Sequence, residues 1–197
     1  MKMTNFTYIG TELELFSQAL NWKNYLKNLI VPYLHGMVLE VGAGIGANTL
    51  LLTNCDYQKW LCLEPDSQLF QQLRSSIELH NVPRCVALQG TLGTLEGQDH
   101  FDSILYLDVL EHIEDDYTEI RQAFQRLKVG GHLIIIGPAH QWLFTPFDSA
   151  IGHYRRYNRK MLQALLSEDM TVVDFRYLDC VGLLASLANK LILKQSQ

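Results

Sequence analysis

The most constraining feature of the sequence is a glycine-rich segment at positions 40–48, which reads EVGAGIGAN. It follows an apolar stretch at 37–41 and leads into a second apolar stretch at 48–52. Glycine adopts positive φ readily and lets the backbone approach a ligand closely. A strand, a glycine turn and a helix in this order predict a nucleotide-binding turn whose free backbone N–H groups face the ligand.

Stretches with the pattern of buried strands alternate with stretches of helical spacing after this turn. The predicted strands lie at 37–41, 60–63, 85–89, 101–107, 132–136 and 171–177. The predicted helices lie at 48–52, 67–79, 117–127 and 181–193. This alternation predicts an α/β fold with a doubly wound, mostly parallel sheet that carries helices on both faces.

The length of 197 residues predicts one domain, residues 1–197. A capping-box pattern at 11–14 predicts a helix before the first strand, and we expect residues 1–34 to form an N-terminal helical lid. Residues 138–160 fit neither period and contain five aromatic side chains. A loop of this length is usually functional, so we expect a substrate loop there.

Charge and composition exclude several classes of protein. The net charge of −5 disfavours binding to a nucleic-acid duplex. No apolar stretch reaches the roughly 20 residues of a bilayer span. The four cysteines lack the spacing of a zinc site, and the first residues lack the apolar stretch of a signal peptide, which together predict a cytoplasmic protein.

Two acidic residues beside the glycine turn indicate the charge of its ligand. Glu40 precedes the turn, where a carboxylate would repel a pyrophosphate and attract the ammonium and sulfonium groups of S-adenosylmethionine (SAM). Glu64 follows the second predicted strand at about the distance from Gly42 where an acid accepts hydrogen bonds from ribose hydroxyls. Gly42, Gly44 and Ala47 also satisfy the dinucleotide pattern G-x-G-x-x-G/A, which leaves a nicotinamide cofactor open.

Four segments then occur in a characteristic order: LEVGAGIG at 39–46, LEPD at 63–66, LDVLEHI at 107–113 and LKVGG at 127–131. Together they resemble the class I SAM-dependent methyltransferases over about residues 35–140. The resemblance implies a seven-stranded sheet with the cofactor across the carboxyl ends of the first strands. Only four residues follow residue 193, so either the chain is cut short or its sheet lacks the antiparallel seventh strand.

The resemblance also implies roles for single residues. Glu40 would bind the methionine amino group, Glu64 the ribose hydroxyls, and Asp108 would lie near the sulfonium. Thr91 and Leu92 would border the adenine, although the acidic residue that the family often has there is absent. The cofactor-binding residues expected on this basis are Glu40, Gly42, Ala43, Gly44, Gly46, Glu64, Pro65, Thr91, Leu92 and Asp108.

His112 and Asp108 are the expected catalytic residues. His112 follows the fourth predicted strand, and a histidine can deprotonate a hydroxyl or amine acceptor near neutral pH. A structural histidine explains this position equally well, and residues 108–111 also fit a plain capping box. Asp108, Glu111 and His112 resemble a group of metal ligands, but the D-x-x-E-H spacing is not a standard one, and we expect no metal.

The 138–160 loop ends in a basic run, HYRRYNRK at 153–160. Arg155 and Arg156 are expected to clamp a carboxylate or phosphate of the acceptor, whose apolar part would lie on Trp142 and Phe144. The histidines of the loop are alternative bases. The expected substrate residues are His140, Trp142, Phe144, His153, Tyr154, Arg155 and Arg156.

These observations predict SAM-dependent methyl transfer to an oxygen or nitrogen of a small-molecule acceptor. Two alternatives stay open: an NAD(P)-dependent oxidoreductase, and a protein that binds a nucleoside without catalysis. A nucleic-acid methyltransferase is disfavoured because an N-P-P-Y-like motif is absent and the basic run is short. The sequence fixes neither the acceptor nor the oligomeric state.

Overall fold

The computed structural model describes residues 20–97 and 99–178. The helix predicted at 181–193 lies outside these ranges, as does the start of the helix predicted before the first strand; the described part of that helix, Leu20–Ile30, confirms its end before Pro32. Within the described residues, five parallel strands form one sheet in the order β3-β2-β1-β4-β5. The strands are β1 (Met37–Val41), β2 (Lys59–Glu64), β3 (Cys85–Gln89), β4 (Phe101–Leu107) and β5 (Leu127–Ile136). This arrangement confirms the predicted doubly wound α/β fold.

Helices and 3₁₀ turns connect the strands. The helices are α1 (Leu20–Ile30), α2 (Ala47–Leu52), α3 (Ser67–Leu79), α4 (Asp116–Gln125), α5 (Pro146–Ala150) and α6 (Arg159–Leu165). The 3₁₀ turns are Val31–Tyr33, Leu92–Thr94, Leu110–His112 and Gln141–Leu143. α3 begins where Asp66 accepts hydrogen bonds from the backbone N–H groups of Gln68 and Leu69, which satisfies two free donors of its first turn.

The strand order reverses at β1, the central strand. After β1 the chain moves outwards through β2 to β3, and it then returns to the other side of β1 as β4. The connections on the two sides of this switch point leave in opposite directions, which opens a crevice at the carboxyl ends of the strands. The glycine turn after β1 and the turn after β4 both lie at this crevice.

The core consists of two apolar layers, one on each face of the sheet. Val38 and Leu105 pack with residues of α1, α2 and α3 on one face. Leu39, Ile104 and Tyr106 pack with residues of α4 and α6 on the other face. The alternation of neighbours in β1 follows from the two-residue period of a strand.

Glu40 is a carboxylate inside the first of these layers, with only 2% of its surface exposed. Its Oε2 accepts hydrogen bonds from Thr49 Oγ1 (2.8 Å) and from Trp60 Nε1 (2.9 Å). These bonds connect β1 with α2 and β2. Burial nevertheless penalises the charged form and raises the pKa of Glu40 to about 7.

The prediction of a sixth strand at 171–177 is wrong. Residues 171–177 have no regular secondary structure, and their aromatic side chains pack on the 138–160 loop and α6. The ring of Tyr177 stacks on His140 at 4.7 Å, and the Arg159 guanidinium lies 5.5 Å from the ring centre of Phe175. Alternating residues in this segment therefore pack on a loop instead of pairing with β5.

No helix among the described residues is both long and apolar enough to cross a bilayer.

Gly42 offers a test of the turn geometry. Its φ is +68°, and a Cβ there would lie 2.7 Å from both methyl carbons of Val109. We expect Gly42→Ala to lower the free energy of unfolding in urea by about 1–3 kcal/mol, because backbone strain and a steric clash combine. Gly97→Ala is a matched control, since Gly97 has φ +86° but no described atom within 4 Å of an added Cβ. Equal losses in the two variants would contradict a role for the Val109 contact.

Glu40 gives a prediction for stability against pH. The pKa of Glu40 is about 7 in the folded chain against an ordinary 4.5, so the folded state binds more protons between these values. The free energy of unfolding therefore falls as pH rises from about 4.5 to about 7, and the contribution of Glu40 is fully present only below this range. We expect Glu40→Gln to remove this loss, which amounts to about 3 kcal/mol above pH 7. Urea unfolding from pH 4 to 8 measures it.

The matched control for this pH series is Glu78→Gln, on the exposed side of α3. A wild-type stability that stays constant from pH 4.5 to 7 would contradict the buried, uncharged state of Glu40.

Candidate active site

The glycine turn between β1 and α2 is tied to the end of β2 by two backbone N–H groups. The Ala43 N–H donates to the carbonyl oxygen of Leu63 at 2.9 Å. The Gly44 N–H donates to Oε2 of Glu64 at 2.8 Å. The turn therefore has a fixed position at the crevice and forms one wall of a cleft.

Glu64 is held in a single orientation at the same wall. In addition to the Gly44 bond, its Oε1 accepts a hydrogen bond from the Asp66 N–H at 2.8 Å. The side chain is largely buried, which raises its pKa, yet it lines the cleft. A carboxylate can accept about four hydrogen bonds. Two of these positions therefore suit the two hydroxyls of a ribose.

The cleft brings together most of the residues expected at the cofactor. Gly42, Ala43, Gly44, Glu64, Pro65 and Asp108 all line it. Its volume of about 1770 Å³ exceeds the roughly 300–1,000 Å³ of a pocket for one small molecule. The cleft continues past the end of β4 to the 138–160 loop and along the outer edge of β5.

Four of the expected cofactor residues do not line the cleft. Glu40 lies beneath the turn in the core, and Gly46 faces Leu73 of α3. Leu92 is buried in the core, and Thr91 forms a capping box with Thr94 at the start of a 3₁₀ turn. The contacts of Glu40 with the methionine amino group and of Thr91 and Leu92 with adenine stay predictions.

The turn after β4 places the two expected catalytic residues in the cleft. Asp108 has φ +56° and is followed by the 3₁₀ turn Leu110–His112. The capping-box interpretation of 108–111 is wrong, because no side chain caps this turn. The cap of α4 is instead Asp115, which accepts from the Thr118 N–H. Asp108 and His112 both line the cleft.

His112 lies in a group with Glu111 and His153, and the sequence analysis did not predict this group. The rings of His112 and His153 meet edge to face at 4.6 Å, and His153 Nε2 lies 4.0 Å from Oε1 of Glu111. Glu111 is 1% exposed, and its Oε2 has no hydrogen-bond partner among the described residues. Burial, together with the negative charge of Asp108, raises the pKa of Glu111.

Asp148 is a buried residue at the cleft that sequence reasoning missed. It is 1% exposed, and its Oδ2 accepts from the backbone N–H and the hydroxyl of Thr145. Its Oδ1 lies 2.7 Å from Arg156 Nε and 3.4 Å from His153 Nδ1. The arginine and the backbone N–H hold the pKa of Asp148 below its ordinary value. The signal was the capping-box pattern Thr145-Pro-Phe-Asp148, which begins α5.

The structure does not bring Arg155 and Arg156 together as a clamp. Arg155 pairs with Asp116 and donates to the carbonyl oxygen of Glu114, and it does not line the cleft. Arg156 lines the cleft, but its Nε donates to Asp148. Each guanidinium therefore has its own acceptor within the protein.

The aromatic side chains that line the cleft are not the ones that the sequence analysis predicts. Trp142 and Phe144 do not line it, and the ring of Trp142 lies 5.8 Å from that of His140. Phe147 and Tyr154, both about half exposed, line it instead, as does His140. α1 adds further lining side chains, namely Trp22, Lys23, Leu26, Leu29 and Ile30.

The chain is similar to known methyltransferases. The family model of a methyltransferase domain matches residues 39–133. The curated 2-methyl-6-phytyl-1,4-hydroquinone methyltransferase 1, chloroplastic, of Oryza sativa subsp. japonica is 30% identical over 116 residues, which cover 56% of this chain and 34% of the relative. The matched region therefore spans about a third of that relative's length.

Solved structures share the fold. A SAM-dependent methyltransferase from Leishmania major superposes with a TM-score of 0.68 and 17% identity, over 88% of this chain and 73% of that chain. The DhpI–SAH complex superposes with a TM-score of 0.61 and 18% identity, over 79% of this chain and 78% of that chain.

The matched region, residues 39–133, contains the end of β1 and all of β2, β3 and β4, and therefore the glycine turn, Glu64 and Asp108. The lining of the cleft is compatible with SAM, because Glu64 keeps acceptor positions beyond its bonds to Gly44 and Asp66, and the carboxyl groups of Asp66 and Asp108 line the same cleft. These findings favour a methyltransferase over a nicotinamide-dependent oxidoreductase. Residues 39–133 are thus similar to a methyltransferase domain, and the described residues share the fold of SAM-dependent methyltransferases of known structure.

Proposed function

We propose that the protein transfers the methyl group of SAM to an oxygen or nitrogen of a small-molecule acceptor with an apolar body. The observation that carries this proposal is the continuity of the cleft from the glycine turn, past Asp108 and His112, to the 138–160 loop. Donor and acceptor would share one cavity, with the reacting atoms near the end of β4. Its volume is large enough for both molecules.

The cofactor end of the cleft suits a nucleoside with a cationic tail. Glu64 would accept from the ribose hydroxyls, and the backbone at Gly42 and Gly44 would pass close to the methionine part. Asp66 and Asp108 line the same end of the cleft as Glu64. Three carboxyl groups around the turn favour a cation over a pyrophosphate.

The acceptor end is formed by the 138–160 loop. Phe147, Ile151 and Tyr154 supply apolar and aromatic surface there. The rice relative is named for a hydroquinone that carries a phytyl group, which supports an acceptor with a hydroxyl and an apolar chain. Arg156 keeps N–H groups beyond the one bound to Asp148, so it remains a candidate for a polar group of the acceptor.

The main requirement of this reaction is the alignment of the acceptor atom with the methyl carbon and the sulfonium of SAM. SAM supplies a sulfonium, which is a good leaving group when an oxygen or nitrogen displaces the methyl carbon in line. Residues of the cleft would hold the two reactants about 3 Å apart and exclude water, which provides much of the rate. His112 or Asp108 would accept the proton of a hydroxyl acceptor. His140 and His153 also line the cleft as alternative bases.

The proposal includes a lid over the cleft. α1 lies within the predicted lid region, 1–34, and its residues Trp22, Lys23 and Leu26 line the cleft. A helix at this position would cover the cofactor after it binds and shield the reaction from water.

Glu64 tests the cofactor assignment. We expect Glu64→Gln to raise the Kd for SAM and for its demethylated product by about 10- to 100-fold in isothermal titration, since a hydrogen bond to a charged group contributes about 1.5–3 kcal/mol. The matched control is Glu78→Gln, because Glu78 is exposed and pairs with Arg74 outside the cleft. Unchanged affinity in Glu64→Gln would contradict its role at the ribose.

Methyl transfer itself is measured with label in the methyl group of SAM and a panel of hydroquinones, phenols and amines. We expect the highest kcat/KM for hydroxyl acceptors with an apolar chain. Phe147→Ser should raise KM for these acceptors several-fold and leave the Kd for SAM unchanged, because Phe147 lies at the loop end of the cleft. SAM binding without transfer to any oxygen or nitrogen would instead support a nucleoside-binding protein.

A further inference from the structure

The group formed by Glu111, His112 and His153 has the composition of a metal site. Each residue offers one ligand atom, and these atoms all lie within 4.8 Å of one another. Two imidazoles and one carboxylate are common ligands of first-row divalent ions. His153 lies 41 positions after His112 in the sequence, and the loop alone brings the two rings together.

The buried carboxylate of Glu111 is the second observation that points to a cation. Its Oε2 is buried without a hydrogen-bond partner among the described residues, and the side chain lines the cleft. Buried carboxylates are normally paired, hydrogen-bonded or bound to a metal. Oε2 also lies 3.1 Å from the Cβ that a side chain at Gly137 would have, so a larger residue there would crowd this carboxylate.

The surroundings of His153 match those of a metal-binding histidine. Its Nδ1 lies 3.4 Å from Oδ1 of Asp148, and its Nε2 faces Glu111. Histidines that bind metals usually donate their other ring N–H to a carboxylate, which fixes the tautomer and the ring orientation. Asp148 is in turn fixed by Arg156 and by both donors of Thr145. This network would present Nε2 of His153 to an ion.

We propose that Glu111, His112 and His153 bind one divalent first-row transition-metal ion at the acceptor end of the cleft. With three protein ligands, the ion keeps an open position towards the cleft, as in catalytic zinc sites. Ligand atoms around such an ion lie roughly 3–4 Å apart, as bond lengths of about 2.0–2.2 Å require. The three side chains therefore converge by about 1 Å when the ion binds.

The metal site would take part in the proposed methyl transfer, and this role, unlike metal binding itself, rests on the proposed function. An acceptor hydroxyl that occupies the open position would lose its proton more easily, because a bound cation favours the anionic form. His112 would then act as a ligand, and the proton would leave to solvent or to Asp108. The proposal replaces the expectation of a metal-free enzyme.

Metal binding is tested without any acceptor. The full chain is treated with a chelator, dialysed, and titrated with Zn²⁺ by calorimetry and with Co²⁺ by visible absorption. We expect one ion per chain, and the Kd should rise at least about 100-fold in Glu111→Gln and in His153→Gln. Asp148→Asn should raise it about 10- to 100-fold, as loss of an outer carboxylate partner does. Melting curves of the metal-free variants verify that they are folded.

His80→Gln is the matched control, because His80 is an exposed histidine at the end of α3. Equal affinity in Glu111→Gln and the wild type, or equal weakening in His80→Gln, would overturn the site. SAM affinity is measured in the same variants and should change less than about threefold. If the wild type binds the metal but not SAM, the proposed function is contradicted and the metal site is not. If the wild type binds SAM but not the metal, only the metal site is contradicted.

Discussion

The carboxylate of Glu64 connects the segments at the carboxyl end of the sheet, where the cleft lies. One of its oxygens accepts from Gly44 in the glycine turn, and the other accepts from Asp66 at the start of α3. Three segments that come from different strands and helices thus share a single anchor. Because the turn contains glycines with positive φ, it has little conformational preference of its own, and this anchor selects one conformation. In the proposed function, the position of the cofactor would depend on that conformation.

The same end of the sheet shows what a sequence can predict. The strand, the glycine turn and Glu64 are close in sequence or separated by regular elements, so their spacing alone indicated the cofactor cleft. The interpretation of Glu40 was less complete: an acid next to a glycine turn predicts a ligand contact, but the structure gives it Thr49 and Trp60 as partners in the core. A sequence does not show on which face of a strand such an acid finds its donors.

The sequence predicts a functional loop at 138–160, but it does not predict the geometry of that loop. Asp148, Arg156 and His153 meet because two short helical segments fold the loop back on itself, and no periodicity reports such a contact. The arginine pair shows the same limit, since the adjacent arginines at 155 and 156 bind different carboxylates, Asp116 and Asp148. The alternation at 171–177 misled for the same reason, because its aromatic rings pack on this loop.

The hydrogen bonds of Asp148 also have a consequence for how the enzyme can diversify. They lie at the base of the loop and leave Phe147 and Tyr154 exposed at its surface. Side chains at the surface of a well-anchored loop can be exchanged without loss of the scaffold. If the proposed function holds, related proteins would acquire new acceptors by substitutions at these two positions, while the Asp148 hydrogen bonds and the cleft at the glycine turn stay the same.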